Sequence, residues 1–200
     1  MKGLSFTAPM VKAWLSGNKS VTRRLMKPQP DHCHRDILKG KPYSVDDFCR
    51  LFPQIGDKEI KPPYRPGETV YIKETWMEVE FPDGQEMKKE IVYKATDWKG
   101  WLEYEVDPLP RWKSPRYMPE WASRSHALIV SVRPERVQEI SGFEAVLEGF
   151  GKGIPEFELL HYGGYKKARK EFIETWESLH PGSWEKNEWC WRIELNKEDE

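Results

Sequence analysis

Residues 17–28 of the chain read GNKSVTRRLMKP. They follow a segment in which Pro9 suits the first turn of a helix and Gly17 suits its C-terminal exit. The residues from Ser20 to Leu25 are then expected to leave as a β-strand. The stretch therefore predicts a turn between a short helix and a strand, with Lys19 in the turn.

Outside residues 17–28, alternation of apolar and polar residues predicts further strands. In Thr69–Glu80, Glu74 and Trp76 share one face with apolar neighbours. A turn at Pro82–Gly84 would make this segment one arm of a hairpin. The remaining strand or extended segments are expected at Ile91–Ala95, Ala127–Val132, Val137–Ile140 and Trp189–Leu195.

Two further helices are predicted. Ser141 and Glu144 form a capping box that opens a helix over Gly142–Glu148. Tyr165–Leu179 carries an amphipathic stripe. Three helices and several short strands without regular alternation predict an α+β fold with a small β-barrel.

Residues 28–67 are rich in proline, and they are expected to be a long loop with one helical turn near Val45–Leu51. A loop of this length within a compact domain is usually functional or mobile, so it is predicted to be a lid or a wall of a site. The 200 residues suit one domain or two small ones, and we interpret the chain as a single domain, 1–200, with this segment as an insertion.

The charge is unevenly distributed. The 32 basic and 33 acidic residues give a net charge of −1, which argues against general polyanion binding. Residues 1–30 nevertheless hold six basic residues and no acid, so the remaining 26 basic and 33 acidic residues give −7. A basic N-terminal patch on an acidic body predicts a local anion site.

The chain is expected to be cytoplasmic. Its cysteines, Cys33, Cys49 and Cys190, are odd in number and widely spaced, which is typical of free thiols in a reducing compartment. No apolar run is long enough to span a membrane, and no signal peptide is expected. The ligand types in Asp31–His34 lie too close together for a zinc site, so neither a metal nor a cofactor is expected.

The pair Lys19 and Thr22 could carry chemistry. A lysine amine can deprotonate a hydroxyl or a water only if it is neutral, which requires a pKa well below the usual value of about 10.4. The cations Arg23 and Arg24 would act in that direction. An exposed turn lysine is the alternative explanation of this pattern.

Four charged residues are further candidates. Arg23 and Arg24 suit a phosphate or a carboxylate, and only one of them is expected to point into a site. Glu74 needs a partner on its apolar face, and an arginine from residues 17–24 is the natural candidate. Glu148 ends its helix where the dipole disfavours a carboxylate. The alternatives are a surface charge pair, a structural ion pair and an exposed helix end.

The ten tryptophans could stack nucleobases. Those on strand or helix stripes are better explained as core residues. Those in loops are the better candidates for stacking: Trp98, Trp101, Trp112 and Trp121.

Taken together, the chain resembles the ASCH domain family, relatives of the PUA RNA-binding fold, and especially its longer phage and prophage members. The matching motifs run from Phe6 to Leu195: Phe6-Thr-x-Pro-Met10, Gly17-x-Lys-Ser-x-Thr-Arg-Arg24, Lys27-Pro-x-Pro30, Tyr64-x-Pro-Gly67, Glu74-Thr-Trp76, Met118-Pro-x-Trp-Ala122, Ala145-x-x-Glu-Gly149 and the Trp-rich end.

The resemblance implies a PUA-like small β-barrel flanked by helices, with a cleft between barrel and helix. Small members of the family remove the acetyl group from N(4)-acetylcytidine, and their motif implies Lys19, Thr22 and Glu148 as catalytic residues. The substrate, a nucleoside or RNA, would contact Arg23, Arg24, Glu74, Trp76 and Trp121. Other members are RNA-binding proteins or ribonucleases, and both remain alternatives for the same basic cleft.

Overall fold

The computed structural model describes residues 1–36, 50–55, 58–83, 86–96, 111–154, 158 and 163–197. These residues form a mixed α+β structure. The helices are α1 (Ala8–Leu15), α2 (Gly142–Leu147) and α3 (Gly164–Leu179). The strands are β1 (Lys2–Ser5), β2 (Val21–Leu25), β3 (His32–Asp36), β4 (Arg50–Ile55), β5 (Lys58–Glu59), β6 (Thr69–Lys73), β7 (Trp76–Asp83), β8 (Glu86–Tyr93), β9 (His126–Arg136) and β10 (Trp189–Lys197).

The α+β class is therefore as predicted, and the barrel is not confirmed: no sheet in the described part of the chain closes on itself. The chain divides into two compact units. The first unit comprises Met1–Lys19, Thr69–Leu128 and Asn196–Glu200, and the second comprises Ser20–Glu68 and Ile129–Leu195. A single domain over 1–200 stays a prediction.

In the first unit, β6 lies between β1, which is parallel to it, and the start of β9, which is antiparallel. Helix α1 has the predicted ends: Pro9 lies in its first turn, and Gly17 leaves it with a φ of 75°. The helix buries Trp14, whose Nε1 donates a hydrogen bond of 2.7 Å to Ser125 Oγ. This contact anchors α1 within the unit.

The predicted strand Thr69–Glu80 is two strands. Strand β6 ends at Lys73 and β7 begins at Trp76, where it pairs with Tyr93 of β8 in a separate two-stranded sheet. The backbone N–H of Glu74, which lies between the two strands, donates to Met118 Sδ, 3.2 Å away. Alternation continues across the break, so periodicity alone could not locate it. The predicted hairpin is confirmed, and its tip, residues 84 and 85, lies outside the described residues.

In the second unit, β10 is antiparallel to β2, with Ile193 opposite Thr22 and Arg192 opposite Arg23. Helices α2 and α3 cover an apolar cluster: Val137, Ile140, Ala145, Ala168, Phe172, Trp176 and Cys190. The helices approach closely at Gly142, where a Cβ would lie 2.5 Å from the carbonyl oxygen of Tyr165. Only glycine fits there without a shift of the backbone.

The predicted helices of this unit are confirmed. Both bonds of the capping box are made: Glu144 N donates to Ser141 Oγ, and Ser141 N donates to Glu144 Oε2, each at 3.1 Å. Strand β9 is longer than predicted. The extended segment predicted at Val137–Ile140 is wrong, because Val137–Glu139 forms a 3-10 turn.

The interpretation of residues 28–67 as a loop is wrong for residues 32–36, 50–55 and 58–59, whereas residues 28–31 and 60–67 form no helix or strand. Strands β3, β4 and β5 form a three-stranded antiparallel sheet. Pro53 lies within β4, where it lacks an amide donor but still accepts a hydrogen bond of 2.8 Å from Ile60 N. The high proline content therefore led to a loop prediction where the chain forms strands. Most of the helical turn predicted near Val45–Leu51 lies outside the described residues, and its last two residues belong to β4.

Candidate active site

Lys19 is the last residue of the segment Met1–Lys19 of the first unit. Its side chain is buried, and Nζ lies 5.2 Å from the centroid of the Phe6 ring. The backbone N–H of Asn18 donates to Ala13 O at 2.8 Å, which closes the turn after α1. The predicted alternative of an exposed turn lysine is therefore excluded.

Thr22 lies in the middle of β2, and it is completely buried. Its Oγ1 has no hydrogen-bond partner among the described residues. Leaving a buried hydroxyl unpaired costs about 1–3 kcal/mol. Such groups are rare in folded proteins, and each calls for an explanation.

Arg23 is the centre of a buried charge cluster in the second unit. Its side chain is 0% exposed. The guanidinium donates to Glu135 Oε1 and, at 3.1 Å, to Glu148 Oε1, and Nη2 lies 3.3 Å from Glu144 Oε2. We call Arg23, Glu135, Glu144 and Glu148 the carboxylate cluster.

Two further arginines compensate the charge of the carboxylate cluster. Arg192 lies directly opposite Arg23 in the β2–β10 pair, where like charges would repel each other. Glu144 relieves this repulsion because it accepts a hydrogen bond from Arg192 Nε at 3.1 Å and also faces Arg23. The half-exposed Arg133 lies 3.6 Å from both Glu135 and Glu144.

The pKa values in the carboxylate cluster are pushed apart. Burial alone would lower the pKa of Arg23, but Glu148, Glu135 and Glu144 outweigh it and raise that pKa. Burial raises the pKa of Glu135 despite the attraction of Arg23. The pKa of Glu144 is lowered, because the Ser141 backbone N–H and the arginines outweigh its burial. Neighbouring carboxyls with opposite shifts can divide the roles of proton carrier and permanent anion.

Glu148 is the C-cap of α2, and it is 2% exposed. The unfavourable position at the helix end is offset by Arg23, which donates to the carboxylate. The chain before Thr22 is held against the same helix end, because Ser20 N donates to Leu147 O at 2.9 Å. The predicted alternative of an exposed helix end is therefore excluded.

Glu148 also affects the pKa of Arg24. Burial lowers the pKa of Arg24, while Glu148 and Tyr64 act in the opposite direction. Its Nη1 donates to the backbone carbonyl of Arg23 at 3.2 Å. The charge of Glu148 therefore raises the pKa of both arginines relative to burial alone. The sequence had predicted that only one of the two side chains would point into the site.

Glu74 belongs to the first unit, where its carboxylate accepts two hydrogen bonds from Arg124, at 2.9 and 3.0 Å. The guanidinium carbon of Arg124 lies 4.0 Å from the centroid of the Tyr93 ring. The expected arginine partner is thus present, but Arg124 lies outside residues 17–24. A bidentate, stacked arginine fixes the carboxylate firmly.

Trp76 and Trp121 are neighbours in the first unit. Their ring centroids are 5.9 Å apart in an edge-to-face arrangement. Trp76 is buried, whereas Trp121 is 68% exposed. Of the two tryptophans that were predicted to contact the substrate, only Trp121 can present a free ring face to a large ligand.

The sequence predictions missed three residues of these networks. Glu135 lies beyond the predicted end of β9, Arg192 was taken as a strand residue, and Arg124 was not considered. A carboxylate between Pro134 and Arg136 offers no periodic signal. Glu135 meets Arg23 only because strands far apart in the sequence lie side by side.

The lowered pKa of Glu144 predicts that the stability of the protein depends on pH. Because its folded pKa is lowered, its carboxylate contributes stability that is complete above its ordinary pKa of 4.5 and is lost as the pH falls through the lower folded value. We expect Glu144→Gln to have a lower melting temperature than the wild type near neutral pH, and we expect this difference to shrink below about pH 4. Glutamine preserves the capping box, so melting temperatures against pH isolate the charge. A gap that stays constant down to about pH 3 would contradict this assignment.

Among the described residues, no group of three or more His, Cys, Asp or Glu side chains is arranged to hold a metal ion. No helix in the same part of the chain is long and apolar enough to cross a membrane. Comparisons with protein-family models, curated proteins and solved structures find no match. The ASCH resemblance therefore rests on the sequence motifs alone.

Proposed function

We propose that the chain is a hydrolase that removes an acyl group from an exocyclic amine of a nucleoside or an RNA base, with N(4)-acetylcytidine as the model substrate. The observation that carries the proposal is the Thr22 hydroxyl, which is buried, has no hydrogen-bond partner among the described residues, and adjoins the Arg23–Glu148 ion pair in sequence. The substrate class comes from the ASCH resemblance.

In the proposed reaction, Lys19 takes the proton from the nucleophile, which is Thr22 Oγ1 or a water that it binds. The nucleophile attacks the acyl carbonyl, and the bond between the acyl carbon and the exocyclic nitrogen breaks. Where Thr22 Oγ1 is the nucleophile, water then hydrolyses the ester that joins the acyl group to Thr22. Glu148, held by Arg23, passes a proton to the departing amine. With water as the second reactant, the products are the free carboxylic acid and the unmodified base.

The three proposed catalytic residues are buried. Lys19, Thr22 and Glu148 are all nearly inaccessible to solvent. Exclusion of water strengthens the electrostatic interactions that move the protons. It also means that covering side chains have to move when the substrate binds.

The test is a screen of the purified protein against N(4)-acetylcytidine and short RNAs that contain it, with release of the acid as the readout. We expect the wild type to be active and Lys19→Met to lose at least about a hundredfold in turnover. Lys12→Met, which removes an exposed lysine of α1, is the matched control and should retain full activity. Absence of turnover by the wild type on every acylated substrate, or equal turnover by Lys19→Met, would overturn the proposal.

A further inference from the structure

Glu135 is a buried carboxylate to which the proposed reaction gives no role. It lies near the end of β9, and its side chain is 8% exposed. Its Oε1 accepts a hydrogen bond from Arg23 Nε, and Arg23 Nη2 lies beside the same oxygen. Glu135 therefore holds one edge of the guanidinium group of Arg23.

The backbone that carries Glu135 is fixed to the neighbouring chain. Cys190 Sγ donates to the carbonyl oxygen of Glu135 at 3.5 Å, and Val137 N donates to Glu188 O at 3.0 Å. The longer side chain of Arg23 has more rotamers to lose on burial than that of Glu135. The position of Glu135 therefore determines how the guanidinium of Arg23 is turned.

Glu135 also determines which edge of the guanidinium faces Glu148. A guanidinium is planar and its donors have fixed directions, so holding one edge sets the direction of the others. The remaining nitrogen, Arg23 Nη1, donates to Glu148 Oε1 at 3.1 Å. Because Nε is bound to Glu135 and Nη2 makes no hydrogen bond within the described residues, Glu148 receives a single hydrogen bond from this guanidinium.

A single hydrogen bond suits a carboxylate that has to handle a proton. An arginine that is free to turn tends to bind a carboxylate with two parallel hydrogen bonds, which favour the ionised carboxylate strongly. In the proposed reaction Glu148 has to hold a proton before it passes that proton to the departing amine. The negative charge of Glu135 also offsets part of the attraction between Arg23 and Glu148.

We propose that Glu135 is a positioning residue of the candidate active site: it turns Arg23 so that only Nη1 binds Glu148, and it thereby allows Glu148 to take up and release a proton. The effect on proton transfer rests on the proposed function, whereas the orientation of Arg23 does not. A partner that only stabilises the fold would make a different prediction, because its loss would lower stability and leave the turnover of the folded enzyme unchanged.

Nitrogen-15 NMR of the arginine side chains tests the orientation. Rotation about the Nε–Cζ bond normally merges the signals of the two Nη groups, whereas a guanidinium held along one edge gives separate signals. We expect separate signals for Arg23 in the wild type and merged signals in Glu135→Gln, because a neutral amide holds an arginine less strongly than a carboxylate does. Glu174→Gln, which removes an exposed carboxylate of α3, is the matched control and should leave the signals unchanged.

Steady-state kinetics on N(4)-acetylcytidine test the effect on proton transfer. We expect Glu135→Gln to lower kcat by about tenfold or more, at a temperature at which the variant is folded. KM should stay within about twofold of the wild type, because Glu135 acts through Arg23 and not on the substrate. In a Glu148→Gln background the same substitution should cause no further loss, since its effect passes through Glu148.

Glu135→Asp keeps the charge but has a shorter side chain, so it tests the contact if Glu135→Gln does not fold, and it should merge the Arg23 signals as well. Separate signals that persist in these variants would overturn the proposed orientation, whether or not the chain is a hydrolase. A folded Glu135→Gln with unchanged kcat, or an equal loss in the Glu148→Gln background, would overturn the effect on proton transfer. Absence of turnover by the wild type would overturn the proposed function and this effect together, and the NMR signals would then decide the orientation.

Discussion

Replacing Arg23 with methionine is expected to lower the free energy of unfolding by about 3–5 kcal/mol. The substitution keeps much of the side-chain volume but removes the one buried cation of the carboxylate cluster. Glu135 and Glu148 are then left buried without their shared partner. Removing one member of a buried ion pair is costly, because the remaining charge keeps its desolvation penalty. Chemical denaturation with a constant m-value measures the effect.

Arg133→Met is the matched control, because Arg133 faces the same carboxylates from a side chain that is 58% exposed. Its loss should cost no more than about 1 kcal/mol. The double variant Arg23→Met with Glu148→Gln should recover part of the loss, since it removes the charge of one of the two buried carboxylates that lose Arg23. Equal effects of Arg23→Met and Arg133→Met would show that the carboxylate cluster is not buried in solution.

Replacing Thr22 with valine is expected to abolish turnover without weakening the fold. The proposed chemistry needs the hydroxyl, and its loss should slow hydrolysis of an acylated nucleoside by at least about a hundredfold. The same hydroxyl has no partner among the described residues, so removing it should leave the free energy of unfolding unchanged or raise it by about 1–2 kcal/mol. Kinetic assays and denaturation of one variant measure both effects.

Thr22→Ser should behave in the opposite way. It keeps the hydroxyl, and therefore turnover, but loses a buried methyl group worth about 1 kcal/mol. If Thr22→Val were strongly destabilised, the hydroxyl would have to make a hydrogen bond in solution. If it turned over like the wild type, Thr22 would have no part in the reaction.

The elements that the sequence predicted correctly are those with local signals. Pro9 and Gly17 mark the ends of α1, and the capping box marks the start of α2. A cap or a positive φ depends on a few neighbouring residues, so it can be recognised without knowledge of the fold. The amphipathic stripe of α3 is likewise set by spacing within one helix. Lys19 and Thr22 were selected from a short motif, Arg23 from its place beside that motif, and Glu148 from its position at a predicted helix end.

The partners of those residues were decided by tertiary structure. Arg23 meets Glu135 and Glu148, which lie 112 and 125 positions away, and Glu74 meets Arg124, which lies 50 positions away. An arginine carries no mark of which carboxylate it will bind, because that depends on which strands and helices become neighbours. The break between β6 and β7 and the sheet within residues 28–67 have the same origin. Hydrogen bonds to distant segments, and not local periodicity or proline content, determine where those strands begin and end.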